Sequence, residues 1–561
     1  MSKKKINQQK SRPEQEKQGN KKQGNNNKGY LVIALLLLIF VITSSLNFLG
    51  IIKINKIILD IAIIVTGLPL LWLLAFREGF ASDVKRLKKS KLSYLLLGLS
   101  VFLLLVTRII PYITNDVPLG YDSGIYDYAF KHYDSGIIDN DWVKVNYEPS
   151  LFLLGSFLNG LGISFSFFVP WLHLIIELIN IVLVFVVVRD YFDERVAGLS
   201  VFMISASMIQ FKAFAMSYEK NIMGIFLLFA CLYLLKKESY TLFVICASLL
   251  AITHKPTFMI FAIAYGLYFI TSWIYARAAG ERDKSVSRDF IAGLAIALIV
   301  LILYFQKIIV MYNAFFAPVV SGQSISGGLF MNFLAYKSIF FINLPFLAVG
   351  IFMMFRNFRE RKEVNMILLW LIANLLIVFF RVIFYNRFIV HLDFVLLIVT
   401  SFGAVVLYDL FTESKSIIKY LLVFSVVLVL LVSVYSVIME SSRARPLIGA
   451  EELEIIRSAS RLESNATLMV VSSTYGPWAL YSERKVVSPG LFNDKMTRDE
   501  WMDFWHTPSQ DKAREYLDRY EKPLYIYVGR MAKMNREKLL DCFEVVSHTV
   551  DKKGVLYKYV C

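Results

Sequence analysis

The chain has 561 residues, of which 57% are hydrophobic and only 19% are charged. A soluble protein of this composition would need one apolar core larger than single domains reach, so the composition excludes an ordinary soluble protein. Apolar runs of about 20 residues, the length that crosses a membrane, recur from Tyr30 to Met439. The sequence therefore predicts an all-α polytopic membrane protein.

The first 29 residues differ from the rest, because they are rich in Lys, Gln and Asn and lack a large apolar cluster. They predict a disordered basic cytoplasmic tail, residues 1–29. Nucleic-acid binding would also suit this charge, but a basic tail before a first membrane helix is more often a topology signal or a contact with anionic lipid. We therefore expect membrane lipids as partners and no nucleic acid.

About thirteen segments fit membrane-spanning helices. Residues 30–91 hold two leading helices and a basic loop, and residues 92–440 hold the main membrane module. The predicted spans are 31–52, 57–76, 92–110, 163–188, 196–214, 221–235, 239–253, 256–275, 290–310, 333–355, 364–383, 388–409 and 417–439.

The charges of the loops orient these spans. Loops 77–91, 276–289 and 356–363 are rich in Lys and Arg, and the predicted spans place all three on one side. The positive-inside rule assigns that side to the cytoplasm. The N-terminus is therefore predicted to be cytoplasmic and, after thirteen crossings, the C-terminus to be extracytoplasmic.

Two of the segments predicted on the extracytoplasmic side have distinctive patterns. Loop 111–162 contains an apolar stretch, 151–161, that is too short to span and is expected to lie along the interface or to re-enter. Residues 441–561 alternate helix-like and strand-like patterns and end in a predicted hairpin, which indicates a small α/β domain. Cys542 and Cys561 both fall in this domain, and the sequence leaves it equally open whether they form a disulfide or remain free thiols.

The external loop opens with an acidic cluster, Asp116, Asp122 and Asp127, among aromatic residues that include Tyr121. A carboxylate held there could accept a proton from a hydroxyl or bind a divalent cation. The alternative is a solvated loop in which these residues form turns.

Three further polar groups are also predicted to face the external side. An acidic residue there could assist a reaction, and cations could hold a phosphate, although each group alone is more often structural. These groups are Glu219 with Lys220, His254 with Lys255, and Arg381 with Arg387 and His391.

The order of these features resembles the GT-C glycosyltransferases, integral membrane enzymes that use polyprenyl-phosphate sugars, such as the protein O-mannosyltransferases and aminoarabinose transferases. The resemblance covers about residues 92–440 and includes the external loop with an early Asp and the acidic turn Tyr218-Glu219-Lys220-Asn221. The Trp-Trp-Asp-Tyr-Gly motif of the oligosaccharyltransferases is absent, which argues against transfer to asparagine.

The resemblance implies a role for each candidate residue. Asp122 would be the base or a metal ligand, Glu219 the second acid, and both together could hold Mg²⁺ or Mn²⁺. The donor phosphate would contact a cationic set, and four further residues are secondary candidates. The cationic set is His254, Lys255, Arg381 and Arg387, and the secondary candidates are Asp116, Asp127, Tyr121 and Lys220.

The leading hypothesis is therefore a glycosyltransferase of the cell membrane that moves a sugar, with inversion, from a polyprenyl-phosphate carrier to an external lipid, glycan or protein. The rival is a transporter or lipid flippase, because His173, Glu177 and Asn180 share one helix face near mid-membrane, where ionisable residues suggest an ion path. A receptor or assembly scaffold is the third reading, and it leaves the external acids and cations without a role.

Overall fold

The computed structural model describes residues 31–47, 49, 51, 90–133, 149–163, 165–278, 284–305, 337–361, 365–381, 385–412, 416–532, 534 and 541–561. The predicted tail 1–29 and the predicted span 57–76 lie outside the described residues, as does nearly all of the basic loop 77–91.

Helices dominate the membrane module, as its apolar runs predict. In chain order they are α1 (Leu31–Asn47), α2 (Lys91–Ile113), α3 (Ser123–Tyr133), α4 (Pro149–Gly160), α5 (Phe165–Tyr191), α6 (Glu194–Ser205), α7 (Met208–Ala215), α8 (Glu219–Lys236), α9 (Tyr240–Thr253), α10 (Lys255–Ala278), α11 (Lys284–Tyr304), α12 (Lys337–Arg361), α13 (Met366–Phe379), α14 (Tyr385–Thr412) and α15 (Ser416–Arg443).

Each predicted span that falls on described residues contains a helix. By length and composition, seven of the described helices could cross a membrane, or eight if α6 and α7 form one span with a 49° bend. Ser207 lies at that bend, and its hydroxyl accepts hydrogen bonds from the backbone of Ile209 and Gln210, which begins α7. The chain is thus a multi-pass membrane protein, while the number thirteen stays a prediction.

Helix α14 lies at the centre of the bundle. Other parts of the protein bury 94% of its most apolar stretch, against 17% for α11 and 33% for α15. It packs against α6, α12, α13 and α15. Side chains at the beginning of α14 are therefore held by a helix that is fixed on nearly all sides.

A buried ion pair joins α2 to α5. The Nε and Nη2 atoms of Arg108 donate hydrogen bonds of 3.0 Å each to the two carboxylate oxygens of Glu177. The rings of Phe211 and Phe214 lie 5.3 and 5.5 Å from the guanidinium carbon, and Arg108 is fully buried. The acid that suggested an ion path thus has a cationic partner that keeps its charge compensated.

Residues after α15 form a mixed sheet. Its strands are β1 (Thr467–Val470), β2 (Lys485–Ser488), β3 (Leu491–Phe492), β4 (Leu524–Val528), β5 (Phe543–His548) and β6 (Val555–Tyr559). They lie in the order β3-β2-β1-β4-β6-β5. Strand β1 is parallel to β2 and β4, and the other pairs are antiparallel. The predicted hairpin is confirmed as β5 and β6, and a disulfide joins Cys542 to Cys561.

Among the described residues, the α-helices that accompany this sheet are α16 (Ala450–Ser458), α17 (Gly476–Ala479), α18 (Arg498–His506) and α19 (Gln510–Leu517). The side chains of Trp501 and Phe504 from α18 and Leu517 from α19 pack into one apolar core against the sheet. The predicted small α/β domain is therefore confirmed as a fold.

Removing one member of the buried ion pair should be far more costly than removing both. We expect Arg108→Met to destabilise the protein by about 3–5 kcal/mol, because it leaves the Glu177 carboxylate buried without its cation, and Arg108→Met with Glu177→Leu to recover most of that loss. Unfolding of each variant in detergent micelles measures these changes in stability. Lys212→Met, which breaks a partly exposed pair of 3.3 Å with Glu440, is the control and should cost at most about 1 kcal/mol. Equal losses in both single variants would contradict the expectation.

Candidate functional site

A cleft with about 250 Å³ of empty space, part of it open to solvent, lies where the external loop meets α8, α10 and α14. It combines one carboxylate with several cationic or polar side chains and two aromatic rings. The residues that line it are Asp122, Tyr126, Tyr218, Lys220, Asn221, His254 and Arg387. The structure therefore brings together residues from all four segments that the sequence singled out.

The backbone of the external loop is fastened to the turn before α8. Ser217 donates a hydrogen bond of 2.8 Å from its hydroxyl to the carbonyl of Leu119, and its hydroxyl lies 3.0 Å from that of Ser123. Gly120 has a φ of +94°, and a Cβ there would overlap the Ser217 side chain. Because Asp122 follows two residues later, this contact fixes the carboxylate beside the turn that carries Glu219 and Lys220.

Glu219 begins α8 directly behind the cleft. Its side chain is buried, and its Oε2 atom has no hydrogen-bond partner within the described ranges. Glu219 lies near enough to Asp122 for the two carboxylates to repel each other and near enough to Lys220 to be attracted. The two acids are thus neighbours, but of the two only Asp122 lines the cleft.

The cleft also holds cationic and imidazole side chains. His254 is linked through its Nδ1 to the hydroxyl of Thr257 at 2.6 Å, and that hydroxyl lies 3.0 Å from Nε2 of His391 on α14. The guanidinium of Arg387, one helical turn before His391, lies 5.8 Å from the centre of the Tyr218 ring. Lys220 and Arg387 both act electrostatically on His254. A bound anion would be attracted by Lys220 and Arg387.

Other predicted residues lie elsewhere. Lys255 extends towards the ring of Tyr304, with Nζ 5.6 Å from its centre, and Arg381 is exposed at the end of α13 with a φ of +51°. Asp116 is exposed, and Asp127 is buried in an ion pair of 2.7 Å with Lys131. None of these four lines the cleft as far as the described residues define it, and their roles stay predictions.

Tyr121 connects the external loop to the C-terminal domain. Its hydroxyl donates a hydrogen bond of 2.9 Å to the carbonyl of Ser473. Burial, together with the neighbouring Asp122 carboxylate, raises the pKa of Tyr121 well above its ordinary value, so this phenol remains a donor at neutral pH. A Cβ on Gly124 would overlap the carbonyl of Pro477. The domain thus packs directly against the segment that carries Asp122.

Sequence reasoning assigned no role to three residues that line the cleft: Tyr126, Tyr218 and Asn221. Two of them stand in the acidic turn on either side of Glu219 and Lys220, and the third lies four residues after Asp122. Their closeness in sequence to predicted site residues was the available signal. The pattern of charges alone could not show that neutral side chains share the cleft.

The predicted divalent cation would be held by Asp122 and Glu219. Carboxylate oxygens suit Mg²⁺, which commonly uses one or two carboxylates and completes its shell with water. No group of three or more His, Cys, Asp or Glu residues placed to hold a metal ion occurs in the part of the chain that the structure describes. The two carboxylates are compatible with such an ion only if other groups supply most of its ligands, and the metal role stays a prediction.

The fold and the cleft define a class of protein: multi-pass membrane proteins with a folded C-terminal domain and a site where acids and cations meet. No family model matches the chain, and no curated protein matches it. Solved structures share its fold. An oligosaccharyltransferase from Archaeoglobus fulgidus in the apo form has a TM-score of 0.58 at 11% identity, over 78% of this chain and 69% of that one.

Two further solved structures are similar. One is the archaeal oligosaccharyltransferase AglB from Archaeoglobus fulgidus with an inhibitory peptide and a dolichol-phosphate, with a TM-score of 0.56, 12% identity, and 78% and 69% of the chains covered. The other is ArnT from Cupriavidus metallidurans bound to undecaprenyl phosphate, with a TM-score of 0.51, 11% identity, and 83% and 97% covered. These are GT-C membrane glycosyltransferases, so the predicted resemblance and GT-C-like fold are confirmed.

Gly120→Ala should move the segment that carries Asp122 away from the turn that carries Glu219. We expect a loss of stability beyond the roughly 1–2 kcal/mol that an Ala pays in a left-handed conformation, because the new Cβ must also displace the Ser217 side chain. The melting temperature measures the loss. Gly162→Ala is the matched control, since Gly162 has a similar φ of +85° but no atom within 4 Å of the added Cβ. If the two variants melt alike, the contact at Ser217 does not constrain the loop.

Proposed function

We propose that the protein is a membrane glycosyltransferase that moves a sugar from a polyprenyl-phosphate carrier to an acceptor hydroxyl. The observation that supports this most is the cleft, which brings the Asp122 carboxylate together with Lys220, His254 and Arg387. A carboxylate and cations in one cleft suit a reaction that removes a proton and releases a phosphate. The GT-C neighbours, whose structures hold dolichol-phosphate and undecaprenyl phosphate, support the same carrier class.

The proposed reaction is one inverting displacement. The acceptor oxygen attacks the anomeric carbon of the donor sugar while Asp122 takes the proton of the acceptor hydroxyl. A new bond forms between the acceptor oxygen and the sugar, and the bond between the anomeric carbon and the phosphate oxygen breaks. The carrier phosphate leaves with the bonding electron pair, and Lys220 and Arg387 offset the negative charge that grows on it.

Glu219 has a supporting role in this scheme. Burial raises the pKa of Glu219 to about 8, so this acid is mostly uncharged at neutral pH. It would favour proton acceptance by Asp122, through repulsion between like charges, only at the higher pH at which it ionises. The metal-dependent alternative gives both carboxylates to a divalent cation instead. Chelation separates these two roles of Asp122. Sugar transfer that disappears with EDTA and returns with Mg²⁺ or Mn²⁺ would favour the role in metal binding.

The active site is proposed to face the extracytoplasmic side, with the C-terminal domain beside it. The basic loops support this orientation through the positive-inside rule, and a disulfide between Cys542 and Cys561 suits an oxidising compartment. Protease added to intact cells should therefore remove the C-terminal domain. Cleavage of the N-terminal tail alone would contradict the proposed orientation.

Asp122→Asn is expected to reduce sugar transfer by at least about a hundredfold, the lower end of what a general base contributes. The amide has nearly the shape of the carboxylate but cannot accept the proton. Transfer from a radiolabelled undecaprenyl-phosphate hexose in proteoliposomes measures it. Asp116→Asn changes an exposed acid of the same loop outside the cleft and serves as the control. Normal turnover in Asp122→Asn would show that another group is the base.

Arg387→Ala is expected to weaken donor binding by about ten- to a hundredfold, because a hydrogen bond to a charged group contributes roughly 1.5–3 kcal/mol. The Kd for a fluorescent undecaprenyl-phosphate probe measures the effect directly. Arg445→Ala is the control, since that exposed arginine hydrogen-bonds only backbone carbonyls in the described structure. An unchanged Kd in Arg387→Ala would remove Arg387 from the phosphate site.

A further inference from the structure

Asn221 differs from the other buried amides of the protein. It is the third residue of α8, is only 4% exposed and lines the cleft. Both its Oδ1 and its Nδ2 atom are buried without a hydrogen-bond partner, counting all partners that the described residues offer. Within those residues, no other buried Asn or Gln has both side-chain amide atoms fully buried and unpaired. Buried amides are nearly always paired, so this side chain needs an explanation.

The surroundings of Asn221 are polar, so the unpaired amide does not reflect an apolar environment. His254 and Thr257, which lie in the neighbouring turn, are joined by a hydrogen bond of 2.6 Å. The start of α8 also approaches α10 closely, since a Cβ on Gly224 would lie 2.8 Å from the Thr257 hydroxyl. The protein therefore pairs polar groups next to Asn221 while leaving both atoms of this amide for another partner.

The two unpaired atoms constrain the chemistry of that partner. An amide presents one acceptor oxygen and one donor nitrogen. An ionised phosphate only accepts hydrogen bonds, so it could satisfy Nδ2 but would leave Oδ1 unpaired. A hydroxyl group both donates and accepts, and two neighbouring hydroxyls can satisfy both atoms at once. Lys220 and Arg387, which share the cleft, already supply the charge that a phosphate requires.

We infer that Asn221 binds a free hydroxyl, or a pair of neighbouring hydroxyls, on the donor sugar, next to the phosphate held by Lys220 and Arg387. Asn221 is then a specificity-determining residue that selects sugars carrying a hydroxyl at that position. This inference rests on the proposed function, since it needs a sugar phosphate in the cleft. It adds the recognised group and the residue that recognises it.

The test combines one substitution with the deletion of one donor hydroxyl at a time. Purified parent protein and Asn221→Leu are assayed in proteoliposomes with undecaprenyl-phosphate glucose, mannose and galactose, and then with monodeoxy analogues of whichever donor is used. We expect Asn221→Leu to lower kcat/KM by about ten- to a hundredfold with the full donor, as loss of a buried hydrogen bond predicts. For one deoxy analogue, the parent should fall by a similar factor and Asn221→Leu should fall no further.

Two results would overturn the inference in different ways. If every hydroxyl deletion lowers kcat/KM by the same factor in parent and variant, Asn221 recognises no donor hydroxyl, while the proposed function stands. If the parent transfers none of the three sugars and binds none of their carriers, the proposed function fails and the inference fails with it. Asn374→Leu is the control, because Asn374 is fully buried in α13 and does not line the cleft, and its deoxy profile should match the parent.

A stability measurement separates ligand recognition from a structural role. A structural Asn would lose its internal hydrogen bonds on replacement, so Asn221→Leu would melt below the parent. An amide left unpaired until the donor binds is a cost to the empty protein, and Asn221→Leu should then melt at or above the parent without donor. The stabilisation of the variant by added donor should be smaller than that of the parent. A clear drop in the melting temperature of the donor-free variant would contradict the inference.

Discussion

The close approach of the backbone at Gly120 to the Ser217 side chain is the contact on which the site depends. It joins two segments almost a hundred residues apart, the start of the external loop and the turn before α8. Asp122 lies two residues after the first contact point and Glu219 two residues after the second. Only a residue without a Cβ allows this approach, so the position of the acids follows from steric exclusion as much as from hydrogen bonding.

The residues of the cleft are supported in different ways. Arg387 and His391 lie near the beginning of α14, which is buried on nearly all sides, and His254 is tied to that helix through Thr257. Asp122 belongs to a loop outside the long membrane helices, and this loop contacts the C-terminal domain through Tyr121 and Gly124. Arg387 and His254 are thus fixed by the bundle, whereas the position of Asp122 also depends on its contacts with that domain.

Much of this arrangement was predictable from the sequence because its causes are local. Apolar length determines where helices form, and the short turn at Glu219 and Lys220 lies between two apolar runs. The partner of Glu177 was not predictable, since Arg108 is 69 residues away and no local pattern pairs them. The sequence therefore suggested an ion path through Glu177, whereas in the fold this carboxylate is paired with the guanidinium of Arg108. The bend at Ser207 was not predictable for the same reason. The Ser207 hydroxyl donates a hydrogen bond to Asp393 of α14, a residue far away in the sequence.

Two short strands of the C-terminal domain also could not be predicted from the sequence. Strands β2 and β3 have four and two residues, too few for an alternating pattern to identify. Their pairing is set instead by β1, which lies between β2 and β4 and is buried along its whole length. Once β1 and β4 are placed by their apolar sequences, a short segment can add at the edge with little sequence information of its own.

Fold likeness does not assign an acceptor to this protein. The oligosaccharyltransferase structures match 78% of the chain, yet the Trp-Trp-Asp-Tyr-Gly motif associated with that activity is absent from the sequence. The residues of the cleft suit a donor, since they supply cations for a phosphate and an unpaired amide for a hydroxyl. If Asp122 is the base, as proposed, the acceptor hydroxyl must reach it, and the segment that carries Asp122 contacts the C-terminal domain. Differences in acceptor are therefore expected to reside in that domain and in the loop it contacts, while the residues that bind the donor can stay similar across proteins with this fold.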